Sequence, residues 1–210
     1  MNNKTPIDEL YKIQKKDIEK ACNVLGKAFH DDPAWIHVIP DENERKEKLP
    51  TIFEYIIRYS LKYGKVHAPT ENLEGIAVWI PHTTVEKSIW RILRSGAFRA
   101  AIKMGSEIGS NIQKLFDQID KDRREHMKDR PYLYLQAIGV LPEFQGQGIG
   151  GNLLKPMFAN ADLNGVSIYL ETETEKNMQI YSKYGFKILK EGKAPGAEFH
   201  FWEMVREPNI

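Results

Sequence analysis

The residues with the clearest chemical potential are Gln145-Gly146-Gln147-Gly148-Ile149-Gly150-Gly151. They follow a run rich in aromatic and β-branched residues, Tyr132 to Val140, and they open an apolar-periodic run, Gly148 to Leu163. A strand therefore feeds a glycine turn, and the turn feeds a helix. Glycines let the backbone turn tightly and approach a ligand closely. The first amides of a helix have no internal partners and sit at the positive end of its dipole. Such a segment suits a phosphate or pyrophosphate.

Several phosphate-binding devices share these features. A P-loop needs Lys-Ser/Thr after its last glycine, but Gly151-Asn152 follows Gly150 here, so that pattern fails. Gly146 to Gly151 does satisfy the letters of a dinucleotide fingerprint, and Glu171 lies near the distance at which an acidic residue closes the next strand. The late position of the motif and the missing second half of a doubly wound sheet weigh against that fingerprint. A purely structural glycine turn is the plain alternative.

Other titratable residues are less specific. Glu171 ends a short strand and can face a cleft as a base. Glu173 and Glu175 favour the helix that follows through its dipole. Tyr181 and Tyr184 stand three apart on one helix face. His67, His82 and His126 read as surface or core histidines, and Cys22, in an apolar helical run, as a small core residue. One cysteine cannot form an internal disulfide or a Cys-rich zinc site, so no metal and an intracellular, cytoplasmic chain are expected.

The elements that must position these residues follow from periodicity. Leu10 to Gln14 alternates as a strand, Lys16 to Phe29 is helical, and His30-Asp31-Asp32-Pro33 stops it. Glu42 to Tyr63 is a helix that Pro50 should kink or break. Lys65 to Ala68 and Gly75 to Ile80 form a hairpin closed by Pro81. Residues 85–128 read as a helical insertion broken at Gly96, Gly105 and Gly109. Within it Ile89, Ile92 and Leu93 share a face, and Ile108, Ile112, Leu115, Phe116 and Ile119 form a core stripe. Asp120 to Glu125 reads as a solvated face of mixed charge. Val166 to Leu170, Phe186 to Leu189 and Phe199 to Val205 are strands, and Lys176 to Tyr184 is a helix stopped by Gly185. The order implies an α/β chain of the α+β type, with a mixed sheet carrying helices on its faces.

The 210 residues, 41% hydrophobic and 28% charged, fit one globular domain. Thirty basic and 29 acidic side chains leave a net charge of +1, which argues against a nucleic-acid partner. No stretch approaches the roughly 20 apolar residues of a membrane span. Met1 to Pro6 has no apolar signal core.

Gln145-x-x-Gly148-x-Gly150 resembles the Q/R-x-x-G-x-G/A signature of the GCN5-related N-acetyltransferases, the GNAT superfamily. The lead-in Ile138-Gly139-Val140-Leu141-Pro142-Glu143-Phe144 and the later segment Asn177-Met178-Gln179-Ile180-Tyr181-Ser182-Lys183-Tyr184-Gly185-Phe186 resemble the family's flanking elements. The likeness is clear over about residues 131 to 190. It implies a mostly antiparallel GNAT-like sheet, with the acetyl-CoA-binding core in that span.

It also implies that the main chain of Gln145, Gly146, Gln147, Gly148, Ile149 and Gly150 holds the pyrophosphate of acetyl-CoA. By the same likeness Ile138, Gly139 and Val140, on a strand that splays from its neighbour, pair with the pantetheine arm, and Asn177 contacts that arm. On physical grounds too, Gly139 in a strand fits a bulge or a close ligand approach. The implied reaction is direct attack of an amine on the thioester, with Tyr181 protonating the thiolate and Glu171 the candidate base. Phe29 to Pro33 and Trp79-Ile80-Pro81 are candidate linings of the acceptor site, where Asp31 and Asp32 either attract a cationic amine or serve as turn residues. The insertion either covers that cleft or makes a subunit contact, such as a homodimer. A small-molecule or peptide amine is the expected partner, and an acyl-CoA sensor without turnover is the rival reading.

Overall fold

The computed structural model describes residues 6–193 and 196–209, so the amino-terminal stretch read for a signal core lies outside the described residues up to Thr5. In chain order the elements are β1 (Tyr11–Lys12), α1 (Ile18–Ala28), α2 (Pro33–Val38), α3 (Glu42–Tyr63), β2 (Lys65–Ala68), β3 (Gly75–Pro81) and α4 (His82–Val85). Then come α5 (Ile89–Ser95), α6 (Phe98–Met104), α7 (Ser106–His126), β4 (Tyr132–Val140), α8 (Ile149–Leu163) and β5 (Ser167–Thr172). The chain closes with α9 (Glu175–Lys183), β6 (Lys187–Lys193) and β7 (His200–Arg206).

One sheet runs β1-β2-β3-β4-β5-β7-β6. Among the described residues every neighbouring pair is antiparallel except β4 with β5. This is the mixed, mostly antiparallel sheet flanked by helices that the sequence predicts. Its centre is covered on both sides, because β3 is apolar on both faces. Ile76 and Val78 pack with α1, α2, α3 and α7, while Ala77 and Trp79 pack with α8.

Pro50 does not break α3, which runs unbroken through it. Gly26 of α1 makes room there, since a side chain at that position would lie 3.1 Å from the Pro50 ring. Pro33 does more than end α1. It opens α2, with the Asp32 carboxylate capping the Ala34 amide at 3.0 Å. Gly96 and Gly105 do separate helices, but Gly109 lies inside α7. The α7 stripe packs into the core as read, whereas Ile89 and Leu93 of α5 are exposed. The charge run is the larger correction: Asp122 and Arg123 are buried. Each is paired, Asp122 with Lys190 and Arg123 with Asp120, Glu86 and the Tyr132 hydroxyl. His67 is a buried core histidine whose pKa burial lowers to about 4, and burial pushes the Cys22 thiol up to about 12.

Two features of β4 shape the ligand-facing side of the sheet. Val78 pairs with Ala137 and Trp79 with Leu135, so Gln136 is the extra residue of a bulge. Gly139, three residues on, is not the bulge. Its missing side chain admits α1, because a Cβ there would stand 2.7 Å from the Cβ of Ala28 and 3.0 Å from Leu25. Gly139→Val should therefore lower the denaturation midpoint by an amount equivalent to about 1–3 kcal/mol. An unchanged midpoint would contradict the packing role.

Candidate active site

Parallel pairing between β4 and β5 ends at Tyr134 and Tyr169, yet β4 continues to Val140 and β5 to Thr172. The strands part, as the resemblance implies. Beyond the parting lies a groove of about 400 Å³ bounded by the end of α1, the last residues of β4, the glycine loop and α9. Of the residues expected to hold the donor, Ile138, Gly139, Val140, Gln145, Gly146, Gly148, Ile149, Gly150 and Asn177 line it; Gln147 does not.

The loop has the form of an anion cradle. Gly146 and Gly148 adopt φ of 78° and 80°, in the left-handed region that favours glycine. A Cβ built on Gly146, Gly148 or Gly150 meets no atom within 4 Å. The Asn152 amide closes the first turn of α8 onto the Gly148 carbonyl at 3.1 Å, so the amides of Ile149 to Gly151 head the helix. The side chains of Gln145 and Gln147 brace the loop, donating to the Val140 and Glu143 carbonyls at 3.1 Å each. Gly151 serves packing instead, since a Cβ there would lie 2.5 Å from the Tyr184 hydroxyl.

A smaller cavity of about 90 Å³ adjoins the groove and shares Phe29, Asp32, Ile138, Asn177 and Tyr181 with it. Tyr181 is buried and faces both spaces, whereas Tyr184 faces only the groove. Burial, and then Glu173, raise the Tyr181 pKa, so its hydroxyl keeps its proton at neutral pH. One wall of the small cavity is aromatic: Phe29, Trp35, Phe53 and Phe116. The other carries Tyr134, Gln136, Glu171 and Glu173, with Asp32 at the mouth.

The carboxyls here are raised. Burial pushes Glu171 up to about 7, against a hydrogen bond from Tyr134 and the charge of Arg123. Burial, then Asp32 and Glu171, push Glu173 up. Burial also raises Asp32, against the amides of Ala34 and Trp35. Glu171 thus belongs to the cavity, as the sequence suggests, but Glu173 is the carboxylate that acts on Tyr181. Sequence reasoning gave Glu173 only to the helix dipole, and missed Tyr134 and, Phe29 apart, the aromatic wall. The cap signal Asp32-Pro33 could have revealed α2 and, with it, Trp35.

Several elements hold the site. Arg45 of α3 is buried and donates to the carbonyls of His30 (2.7 Å), Ile39 (2.8 Å) and Pro40 (3.0 Å), clamping the segment that carries Asp32 and α2. The α7 helix supplies Phe116, so that part of the insertion covers the cavity. Trp79 and Ile80 are core residues, and neither they nor Pro81 line either space. Asp31 points to solvent, with its side chain 91% exposed. Among the described residues no group of His, Cys, Asp or Glu could hold a metal ion, and no helix is long and apolar enough to cross a membrane.

A carboxyl raised on folding contributes stability fully below its unfolded pKa of about 4.3 and loses it as pH rises through its folded value. For Glu171 that window runs up to about 7. Glu171→Gln should therefore raise Tm by roughly 7–15 °C at pH 8.5 and by far less at pH 5. An equal gain at both pH values, or a loss at pH 8.5, would contradict the burial account.

Comparison with known proteins agrees with this geometry. A family profile for the acetyltransferase (GNAT) domain matches residues 109–188. The chain is similar in fold to a histone acetyltransferase HPA2-related acetyltransferase of Corynebacterium glutamicum (TM-score 0.65, 19% identity, 96% of each chain). It is likewise similar to arylalkylamine N-acetyltransferase 2 of Aedes aegypti (TM-score 0.63, 14% identity, 95% of this chain and 98% of that one). An uncharacterized N-acetyltransferase of Schizosaccharomyces pombe is 31% identical over 180 residues, which cover 83% of this chain and 72% of that protein. The chain belongs to the GCN5-related N-acetyltransferase (GNAT) family.

Proposed function

We propose that this chain transfers the acetyl group of acetyl-CoA to a primary amine of a small molecule or peptide, by direct attack in a ternary complex. The observation that carries this reading is the meeting of two spaces at Tyr181: a groove with an anion cradle and a small cavity rich in carboxylates. The cradle fits the donor, because its left-handed glycines leave open space before the first amides of α8. The main chain of Gln145 to Gly150 would hold the pyrophosphate. Ile138 to Val140 and Asn177 would hold the pantetheine arm along the parted strand.

An amine enters as its ammonium and must lose a proton to attack. Glu173, beside Asp32 and Tyr181, takes that proton directly or through a water. The carbon–nitrogen bond then forms, the carbon–sulfur bond breaks, the thiolate leaves with the Tyr181 proton, and the proton shed by the new amide nitrogen returns through water to the tyrosinate. Glu171, the base expected from the sequence, stands in the same cavity next to Tyr134 and helps hold the pKa of Glu173 up. We place the reaction in the cytoplasm, since the lone buried thiol of Cys22 fits a reducing compartment. If two copies associate, the exposed apolar residues Ile89, Trp90 and Leu93 of α5 offer the area for it.

Thiol release from acetyl-CoA with a panel of primary amines is the test. Tyr181→Phe should lower kcat about 10²-fold while the acetyl-CoA Kd stays within about 3-fold. With Glu173 as base, kcat/KM should rise with pH, and Glu173→Gln should remove that limb. Binding of acetyl-CoA with no thiol release from any amine would contradict transfer and favour the acyl-CoA sensor.

A further inference from the structure

The small cavity carries more carboxyl groups than acetyl transfer uses, and that excess bears on the acceptor; the inference rests on the acetyltransferase reading. One carboxylate suffices to take the proton of an attacking amine. Asp32, Glu171 and Glu173 all line the space, and among the described residues no lysine or arginine does. The cations that act on Glu171 from outside are already matched. Arg123 lies 2.7 Å from Asp120 and 3.2 Å from Glu86, and Lys87 is attracted by the same two carboxylates. No fixed cation is therefore free to neutralise the carboxyls of the cavity, and a cationic ligand would hold them ionised.

The unpaired polar capacity points the same way. Gln136, turned out of register by the bulge, has an Oε1 that is shielded from solvent and receives no donor. It lines the same wall as Glu171. Carboxylates and an orphan amide oxygen are all acceptors, so the complementary molecule is rich in donors. Facing them, the rings of Phe29 and Phe53 (5.1 Å between centroids), Trp35 and Phe53 (5.7 Å) and Trp35 and Phe116 (6.3 Å) form a surface suited to methylenes and to cations. The charge is also spread along the cavity. Asp32 lies at the mouth shared with the groove, Glu173 acts on Tyr181, and Glu171 sits by Tyr134.

We infer that the acceptor is a short aliphatic diamine. Its reacting nitrogen lies at Tyr181 beside Asp32 and Glu173, its second ammonium is held by Glu171 and the Gln136 oxygen, and its methylenes follow the aromatic wall. A monoamine would leave the Gln136 oxygen shielded from water with no donor and the Glu171 carboxylate with no cation, which costs binding. A cavity of about 90 Å³ limits the chain to a few carbons.

The test is calorimetric titration of the CoA-saturated chain with 1,4-diaminobutane, butylamine and 2-phenylethylamine. The diamine should bind about 10- to 100-fold more tightly than butylamine, the range of one charge-assisted contact. Glu171→Gln should shrink that preference to within about 3-fold while CoA still binds. Equal binding of the two aliphatic amines, tighter binding of 2-phenylethylamine, or no measurable diamine binding would overturn the inference. Thiol release from acetyl-CoA with the same amines separates the two claims. A diamine preference in binding with no thiol released overturns transfer and leaves the inference standing. Thiol released by all three amines without a diamine preference does the reverse.

Discussion

The parting of β4 from β5 is the constraint on which the rest of the site depends. Pairing is lost after Tyr134 and Tyr169 because the two strands answer to different neighbours. On one side β5 stays hydrogen-bonded to β7 as far as Thr172. On the other, β4 follows β3, takes the bulge at Gln136, and is drawn against α1 where Gly139 lacks a side chain. A bulge bends its strand and adds local twist, so the two strands cannot remain in step. The opening leaves main-chain groups of β4 facing the groove instead of a strand. It also brings the carboxylates at the end of β5 beside a cavity rather than beside another backbone.

The insertion makes the second half of the site possible. Its long helix α7 is fixed to the sheet by polar contacts that a solvated face would not make. Arg123 donates to the Tyr132 hydroxyl at 2.9 Å and lies 5.5 Å from the Tyr134 ring centroid. Lys190 of β6 reaches Asp122. Glu203 of β7 is fully buried between His126 (2.8 Å) and the Tyr169 hydroxyl (3.1 Å). Buried charged groups of this kind are costly unless paired, and they specify one docking position more than they add stability. The position they specify puts Phe116 against Trp35 and closes the aromatic wall.

What could be read from the sequence was what local chemistry decides. The glycine loop, the strand before it and the helix after it announce themselves through backbone freedom and periodicity, and the structure has them at nearly the expected residues. The mixed sheet follows from the order of the elements. What escaped was decided by distant packing. Gly139 lines the groove, but its second task, admitting α1, shows only once Ala28 is placed over it. Asp122 and Arg123 look like surface charges until β6 and β4 come up beneath α7. Glu173 sits just before a helix and reads as a dipole partner; only the fold sets it beside Asp32, more than a hundred residues earlier, and next to Tyr181. The Asp32-Pro33 cap is the one missed signal that was local.

The central claim is that the loop from Gln145 to Gly150 holds the donor and so places its thioester beside Tyr181. Thermal unfolding with and without acetyl-CoA, in wild type and in Gly148→Glu, tests it most directly. A ligand that binds only the folded state raises stability by RT ln(1 + [L]/Kd). A carboxylate at position 148 would enter the open space before α8 and repel the pyrophosphate. The account predicts a rise in Tm with acetyl-CoA in wild type that is lost in a folded Gly148→Glu protein. An equal rise in both proteins, or none in wild type at millimolar acetyl-CoA, would contradict it.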